Sequence, residues 1–183
     1  MIKIGITGSI ASGKSTVAKM LSNGKYPIFD ADYAVKEIYK KKSFKDKAYK
    51  ILGVKSKNEV KRIVSKNPKK LKVTEKIIHP LVKRELKAFT KRNRRKKFLI
   101  FEIPLLIESK LMKNFNKIVF VNSKRNIRIK RFKRKGKNMK LFNVLDKRQL
   151  KPVKKIKFCD HVINNNNSLK KLKNRVKLVQ KKL

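Results

Sequence analysis

Short apolar runs alternate along the chain with longer stretches in which apolar positions recur at threes and fours. The runs are Ile2 to Thr7, Tyr26 to Phe29, Phe98 to Ile103, Ile118 to Val121 and Val162-Ile163; helical patterns follow the first two at Ser15 to Leu21 and Tyr33 to Tyr39. Strands separated by helices predict right-handed βαβ units and a parallel sheet. Ile28-Phe29, Leu99-Ile100-Phe101 and Ile118-Val119-Phe120-Val121 are continuous rather than alternating, as strands covered on both faces should be. Ser168 is placed to cap a last helix whose Leu169, Leu172, Val176, Val179 and Leu183 share a face.

Between Lys40 and Arg95 the pattern turns helical with little strand character, punctuated by Gly53, Pro68 and Pro80. A second, basic helical stretch over Asn126 to Gln149 carries Arg128, Arg131, Arg134 and Arg148, and Asn164 to Asn167 suits a turn. The expectation is one α/β domain over residues 1–183. It has a three-layer core with a five-stranded parallel sheet, a helical insertion at about 40–95 and a second helical segment at about 126–149.

A length of 183 residues with 40% apolar content is enough for one such core. The charge is unusual: 55 Lys+Arg against 11 Asp+Glu, a formal +44. Such an excess attracts nucleic acid or anionic membranes when it is focused into a patch. Here the lysines run through nearly every segment, so no dedicated nucleic-acid partner is expected, only weak, salt-sensitive adhesion. No apolar run approaches the roughly 20 residues of a membrane span, and the N-terminus passes directly into Ile2 to Ile6 without a targeting segment. The single Cys159 cannot form an internal disulfide and suits a small buried hydrophobe. A cytoplasmic protein, monomeric or a small homo-oligomer, is the expectation. The scarcity of acid makes Asp30, Asp32, Glu102 and Glu108 informative, because all four stand at the ends of strand-like runs, where α/β enzymes keep their sites.

Gly8-Ser9-Ile10-Ala11-Ser12-Gly13-Lys14-Ser15 has the two glycines, lysine and hydroxyl of a phosphate-binding loop, between a strand and a helix. The glycines let the backbone curl so that successive N–H groups and the helix N-terminus meet phosphate oxygens. Lys14 neutralises the β and γ phosphates of ATP, and Ser15 offers its hydroxyl to Mg²⁺. The sheet is therefore of the P-loop NTPase type.

Asp30 and Asp32 follow the second strand. A hydroxyl attacking the γ-phosphorus needs a carboxylate to orient it and take its proton, and Asp32 is the candidate base. The alternative is that Asp32 only caps a helix beginning at Tyr33. Asp30 suits indirect support of Mg²⁺ or the acceptor. Glu102 at the end of a buried strand needs a partner: it serves near the metal or acceptor, or it is a structural carboxylate held by backbone N–H groups. His79-Pro80 has the form of a helix boundary.

Together these features resemble one family, the dephospho-CoA kinases, which phosphorylate the ribose 3′-hydroxyl of dephospho-CoA with ATP. The similarity runs from Ile4 to Ala18, including Thr16, through Asp30-Ala31-Asp32, His79-Pro80-Leu81-Val82 with Glu85, and Pro104-Leu105-Leu106 with Glu108. It continues in Arg131, Arg134, Gln149, Lys155 and Asp160 to Asn165. The family implies a P-loop kinase core with a helical acceptor-binding domain and a lid, which coincide with the two helical interruptions. It implies that Asp32 is the catalytic base, that Arg131 and Arg134 are lid arginines meeting phosphates, and that Asp30, His79, Pro104, Leu105, Leu106 and Glu108 belong with the acceptor. Glu102 stands where the family usually has Asp, and Asn167 where it usually has Gly; the helical insertion is short. The competing functions are another small-molecule P-loop kinase, acting on nucleosides or nucleotides, and a basic nucleic-acid-binding protein that uses ATP as a switch.

Overall fold

The structure is a computed structural model that describes the backbone throughout and all side chains except those of residues 57, 61, 64, 65, 66 and 68. Five strands, β1 (Ile2–Gly8), β2 (Ile28–Asp30), β3 (Phe98–Glu102), β4 (Lys117–Asn122) and β5 (His161–Asn164), form one sheet in the order β2-β3-β1-β4-β5. Every pairing is parallel. α-Helices connect or follow them: α1 (Lys14–Ser22), α2 (Ala31–Ile38), α3 (Lys42–Leu52), α4 (Lys57–Lys66), α5 (Pro68–Arg92), α6 (Arg125–Arg134), α7 (Met139–Lys147), α8 (Pro152–Ile156) and α9 (Leu169–Gln180). No helix among the described residues is long and apolar enough to cross a membrane.

The chain divides into two compact units, Met1–Asp30 with Asn93–Leu183, and Ala31–Arg92. In the first, the sheet is sandwiched as its continuous apolar strands require. Ile4 and Ile6 of β1 join Val17, Ala18 and Leu21 of α1 and Leu172, Val176 and Val179 of α9 in one core. Gly5 faces the other way, where a Cβ would come within 2.6 Å of Leu106 Cδ1. Phe101 packs edge-on to Phe115 on that side, with ring centroids 5.3 Å apart. Ser168 caps α9, accepting from the Lys171 N–H. β1 lies between β3 and β4, so its C-terminal end is where the strand order reverses, the position at which open parallel sheets bind ligands.

The second unit is helical. Ile38, Phe44, Ala48, Ile77 and Ile78 form one buried cluster, and Leu52, Val54 and Val60 another. Ser56 opens α4 by accepting from the Glu59 N–H, and the Glu59 carboxylate accepts from the Lys55 N–H in return. That backbone donor is the main reason the Glu59 carboxyl sits below its usual pKa.

The basic helical stretch at 126–149 consists of α6 and α7, separated at Gly136, whose φ of 69° is left-handed, before Asn138 caps α7. Two expectations need correction. β2 is shorter and later than Tyr26 to Phe29, because only Ile28–Asp30 pairs with β3. His79-Pro80 is no helix boundary: Pro80 lies inside the 25-residue α5. An interior proline removes a helical hydrogen bond and crowds the preceding turn. The packing of Ile77, Ile78, Leu81 and Val82 against the α2–α3 cluster outweighs this. Pro80→Ala is therefore expected to stabilise the protein by about 1 to 3 kcal/mol, read as a higher midpoint in chemical denaturation.

Candidate active site

The loop between β1 and α1 turns its carbonyls outward, and each of four finds a donor. Lys14 Nζ donates to Gly8 O at 3.2 Å and Ser9 O at 3.0 Å. Arg128 Nη1 reaches Ile10 O at 3.4 Å. Ser12 O accepts from Asn165 Nδ2 at 2.8 Å and Arg131 Nη1 at 3.3 Å. Ala11 and Gly13 adopt left-handed φ of 57° and 97°. At Gly13 the choice of residue is forced twice, by this φ and because a Cβ would collide with the Asn165 amide.

α1 begins with no side-chain N-cap and no acid in its first turn, so its first N–H groups, which lack intrahelical acceptors, are available to an anion. Ser12 Oγ is buried in the loop without a hydrogen-bond partner among the described residues. A concave run of N–H groups, a positive helix end, a lysine and an unsatisfied hydroxyl fit the phosphates of a nucleotide.

Below the loop, Ser15 Oγ donates to Glu102 Oε1 at 2.7 Å. Glu102 is only 8% exposed. Its strand partners are Ile6 of β1 and Asp30 of β2, so Asp30 and Glu102 stand side by side at the C-terminal edge of the sheet. One partner of this carboxylate is therefore a serine of the phosphate loop. No group of three or more His, Cys, Asp or Glu able to hold a metal exists among the described residues. The hard oxygens of Ser15 and Glu102 nevertheless suit Mg²⁺, which takes few protein ligands when phosphates supply others.

The segment from α6 to α8 brings the cations. Arg131 contacts Ser12 O, Ser123 Oγ and Asn165 Oδ1. Burial draws its pKa below the usual arginine value, yet a guanidinium stays charged. Arg134, with which the sequence pairs it, is exposed in the last turn of α6, and no hydrogen bond among the described residues joins it to the loop. Arg128 is buried, with Nη1 2.6 Å from Asp146 Oδ1 and Nε donating to Ser123 O. Gln149 Oε1 accepts from the Ile10 N–H at 2.8 Å.

The acceptor residues fall in different places. Leu106 is fully buried on Gly5 and serves packing. Leu105 and Pro104 are half-buried in the turns after β3, where Pro104 O accepts from Thr7 Oγ1 and Lys155 Nζ. Glu108 Oε1 lies 2.7 Å from Lys155 Nζ, whose side chain is fully buried, and also accepts from the Leu150 N–H. Asp32 is exposed in the first turn of α2, which starts at Ala31, so it does not cap a helix at Tyr33. His79 is exposed in mid-α5. Arg128, Asp146 and Asn165 were not singled out individually as site residues by sequence; the scarcity of acids was the one signal pointing at Asp146.

A parallel sheet whose central strand delivers a phosphate loop, headed by lysine and serine and backed by arginine, defines a P-loop kinase. The family model for dephospho-CoA kinase (CoaE) matches residues 2–171. A dephospho-CoA kinase of Fusobacterium nucleatum is 37% identical over 178 residues, covering 92% of each chain. The crystal structure of TT1252 from Thermus thermophilus superposes with a TM-score of 0.85 at 29% identity, over 100% of this chain and 97% of that one. A dephospho-CoA kinase of Campylobacter jejuni shares the fold, with a TM-score of 0.72 at 23% identity over 98% and 96%. The chain belongs to the dephospho-CoA kinase family and is an ATP-dependent kinase.

Cys159 Sγ donates to Lys155 O at 3.2 Å. Burial, then the charge of Asp160, pushes its thiol up to about 11. Because the folded thiol is neutral through pH 9, its alkylation by iodoacetamide should rise about tenfold per pH unit from 8 to 10, without the plateau of an ordinary thiol near 8.5. A plateau near 8.5 in the folded protein would contradict the half-buried setting.

Proposed function

We propose that the chain transfers the γ-phosphoryl group of ATP to the ribose 3′-hydroxyl of dephospho-CoA, yielding coenzyme A, in the cytoplasm. The observation that carries the proposal is the family match across residues 2–171, joined to a phosphate loop whose Ser15 is tied to the acidic end of β3.

The labour divides among this chain's residues. The N–H groups of the loop and the start of α1 bind the phosphates, and Lys14, poised over the loop carbonyls, moves its charge onto them. Arg131, already at Ser12, adds positive charge where the transferring group spreads its own over its equatorial oxygens; Arg134, three residues further along the same helix of the lid segment at 126–149, is assigned the same role. Glu102 accepts the Ser15 hydroxyl proton in a hydrogen bond, which leaves that oxygen's lone pairs free for a cation. Mg²⁺, when bound with ATP, neutralises β- and γ-phosphate oxygens, and Ser15 with Glu102 would hold it. Asp32 orients the acceptor hydroxyl and takes its proton. It is exposed and follows Asp30, the ladder partner of Glu102, by two residues. The helical unit from α2 to α5, with His79, is assigned to acceptor binding, together with Asp30, Pro104 and Leu105.

A coupled ADP-release assay across dephospho-CoA, nucleosides and nucleoside monophosphates tests the reaction, with turnover expected on dephospho-CoA. Turnover on a nucleoside monophosphate instead would shift the chain to the nucleotide kinases. Asp32→Asn should lower that turnover by about 10²–10⁴-fold, the usual worth of a general base, while the KM for ATP stays near its starting value. The loss of a first-turn acid costs α2 only about 0.3–1 kcal/mol, so the fold should persist. Wild-type turnover in Asp32→Asn would remove it from the base role.

A further inference from the structure

We infer that Gln149 is a positioning residue for phosphate transfer: it holds the tip of the phosphate loop in its anion-binding shape from the lid segment. This rests on the assignment of Gly8 to Ser15 as the cradle for ATP.

Ile10 stands at the tip of the loop, and both of its peptide groups are gripped from outside. Its N–H donates to Gln149 Oε1 at 2.8 Å, and its C=O accepts from Arg128 Nη1 at 3.4 Å. The next residue, Ala11, is non-glycine at a φ of 57°, a conformation unfavourable for an L-residue. Such backbone persists only where its surroundings over-determine it. Here the restraints lie on either side of Ala11: Gln149 and Arg128 at Ile10, Asn165 and Arg131 at the Ser12 carbonyl.

Gln149 is itself fixed. The next peptide, at Leu150, donates to Glu108 Oε1 at 2.9 Å. Glu108 is paired with the fully buried Lys155, and Lys155 also donates to Pro104 O at 3.1 Å, which accepts from Thr7 Oγ1 as well. Thr7 precedes Gly8. The contacts therefore close a ring: from the end of β1 through Pro104, Lys155, Glu108 and Leu150 to Gln149, and back to the loop three residues beyond Thr7. Arg128 is braced in parallel by Asp146 at 2.6 Å and lies over the Phe142 ring, 5.5 Å from its centroid. A buried charged pair this close to the site thus has a positional result, the direction in which Gln149 Oε1 points.

The test uses the full-length protein with Gln149→Leu and Gln149→Ala, which remove the acceptor, and Gln149→Glu, which keeps an oxygen there. In Q149L and Q149A the Ile10 amide should exchange with solvent about tenfold faster or more, and the KM for ATP should rise by about tenfold, the worth of one backbone hydrogen bond. The KM for dephospho-CoA and the thermal midpoint should stay near wild type. Q149E should restore the protection of Ile10. Unchanged Ile10 exchange in both Q149L and Q149A overturns the inference, as does a parallel rise of both KM values with a lowered midpoint, which would mark Gln149 as merely structural. The exchange measurement needs no turnover, so a wild type inactive on dephospho-CoA would fail the proposed function and leave the exchange result to decide on Gln149.

Discussion

A phosphate cradle works only if its N–H groups point inward, and a loop that turns its N–H groups inward must turn its carbonyls outward. Those carbonyls need donors, since a buried acceptor left unpaired is costly. Here the donors are Lys14 for Gly8 and Ser9, Arg128 for Ile10, and Asn165 with Arg131 for Ser12. They come from the loop's own helix, from α6 and from the end of β5. The arrangement of the sheet unit follows from this: β5 must run beside β4 to bring Asn165 under Gly13, and α6 must start where β4 ends to aim two arginines back at the loop. Three of these donors, Lys14, Arg128 and Arg131, are cations. The groups that complete the backbone hydrogen bonds also raise the positive potential where phosphate charge develops.

The chain is so poor in acid that its carboxylates have defined work. Asp146 braces Arg128, and Glu108 neutralises the buried Lys155. Glu102 accepts from Ser15, and Asp160 accepts from the Ile118 N–H while facing Lys117. Glu85 pairs with Lys41 in the helical unit. Exposed pairs such as Lys40 with Glu37 contribute little in water, whereas the Lys155–Glu108 pair, with one member fully buried, cannot lose a partner without leaving a buried charge. The remaining lysines are mostly exposed or half-buried.

The local pattern of the chain determined a great deal. The strand–loop–helix opening, the apolar runs of β3 and β4 and the capping of α9 by Ser168 follow from short-range rules, because backbone curl, side-chain period and capping are decided within a few residues. The phosphate loop was legible for the same reason: glycines, lysine and serine act from contiguous positions. The resemblance to the dephospho-CoA kinases added the family, from motifs whose order along the chain is specific. What local rules misjudged was Pro80, where tertiary packing around Ile77 and Leu81 outweighs the helix-breaking tendency of proline.

Only the tertiary structure decided which distant groups complete the site. Nothing in the spacing of Ile10 and Gln149, or of Ser12 and Asn165, announces that they meet, since they are 139 and 153 residues apart and come together through the parallel sheet's register. The same holds for Glu108, which by its motif belongs with the acceptor and by its contacts belongs with Lys155. The sequence by itself determined the phosphate-binding chemistry and the class of fold, because those are written in contiguous residues. The folded chain decided how the loop is held and which arginines reach it, because hydrogen bonds across a sheet depend on where strands are placed and not on their order in the sequence.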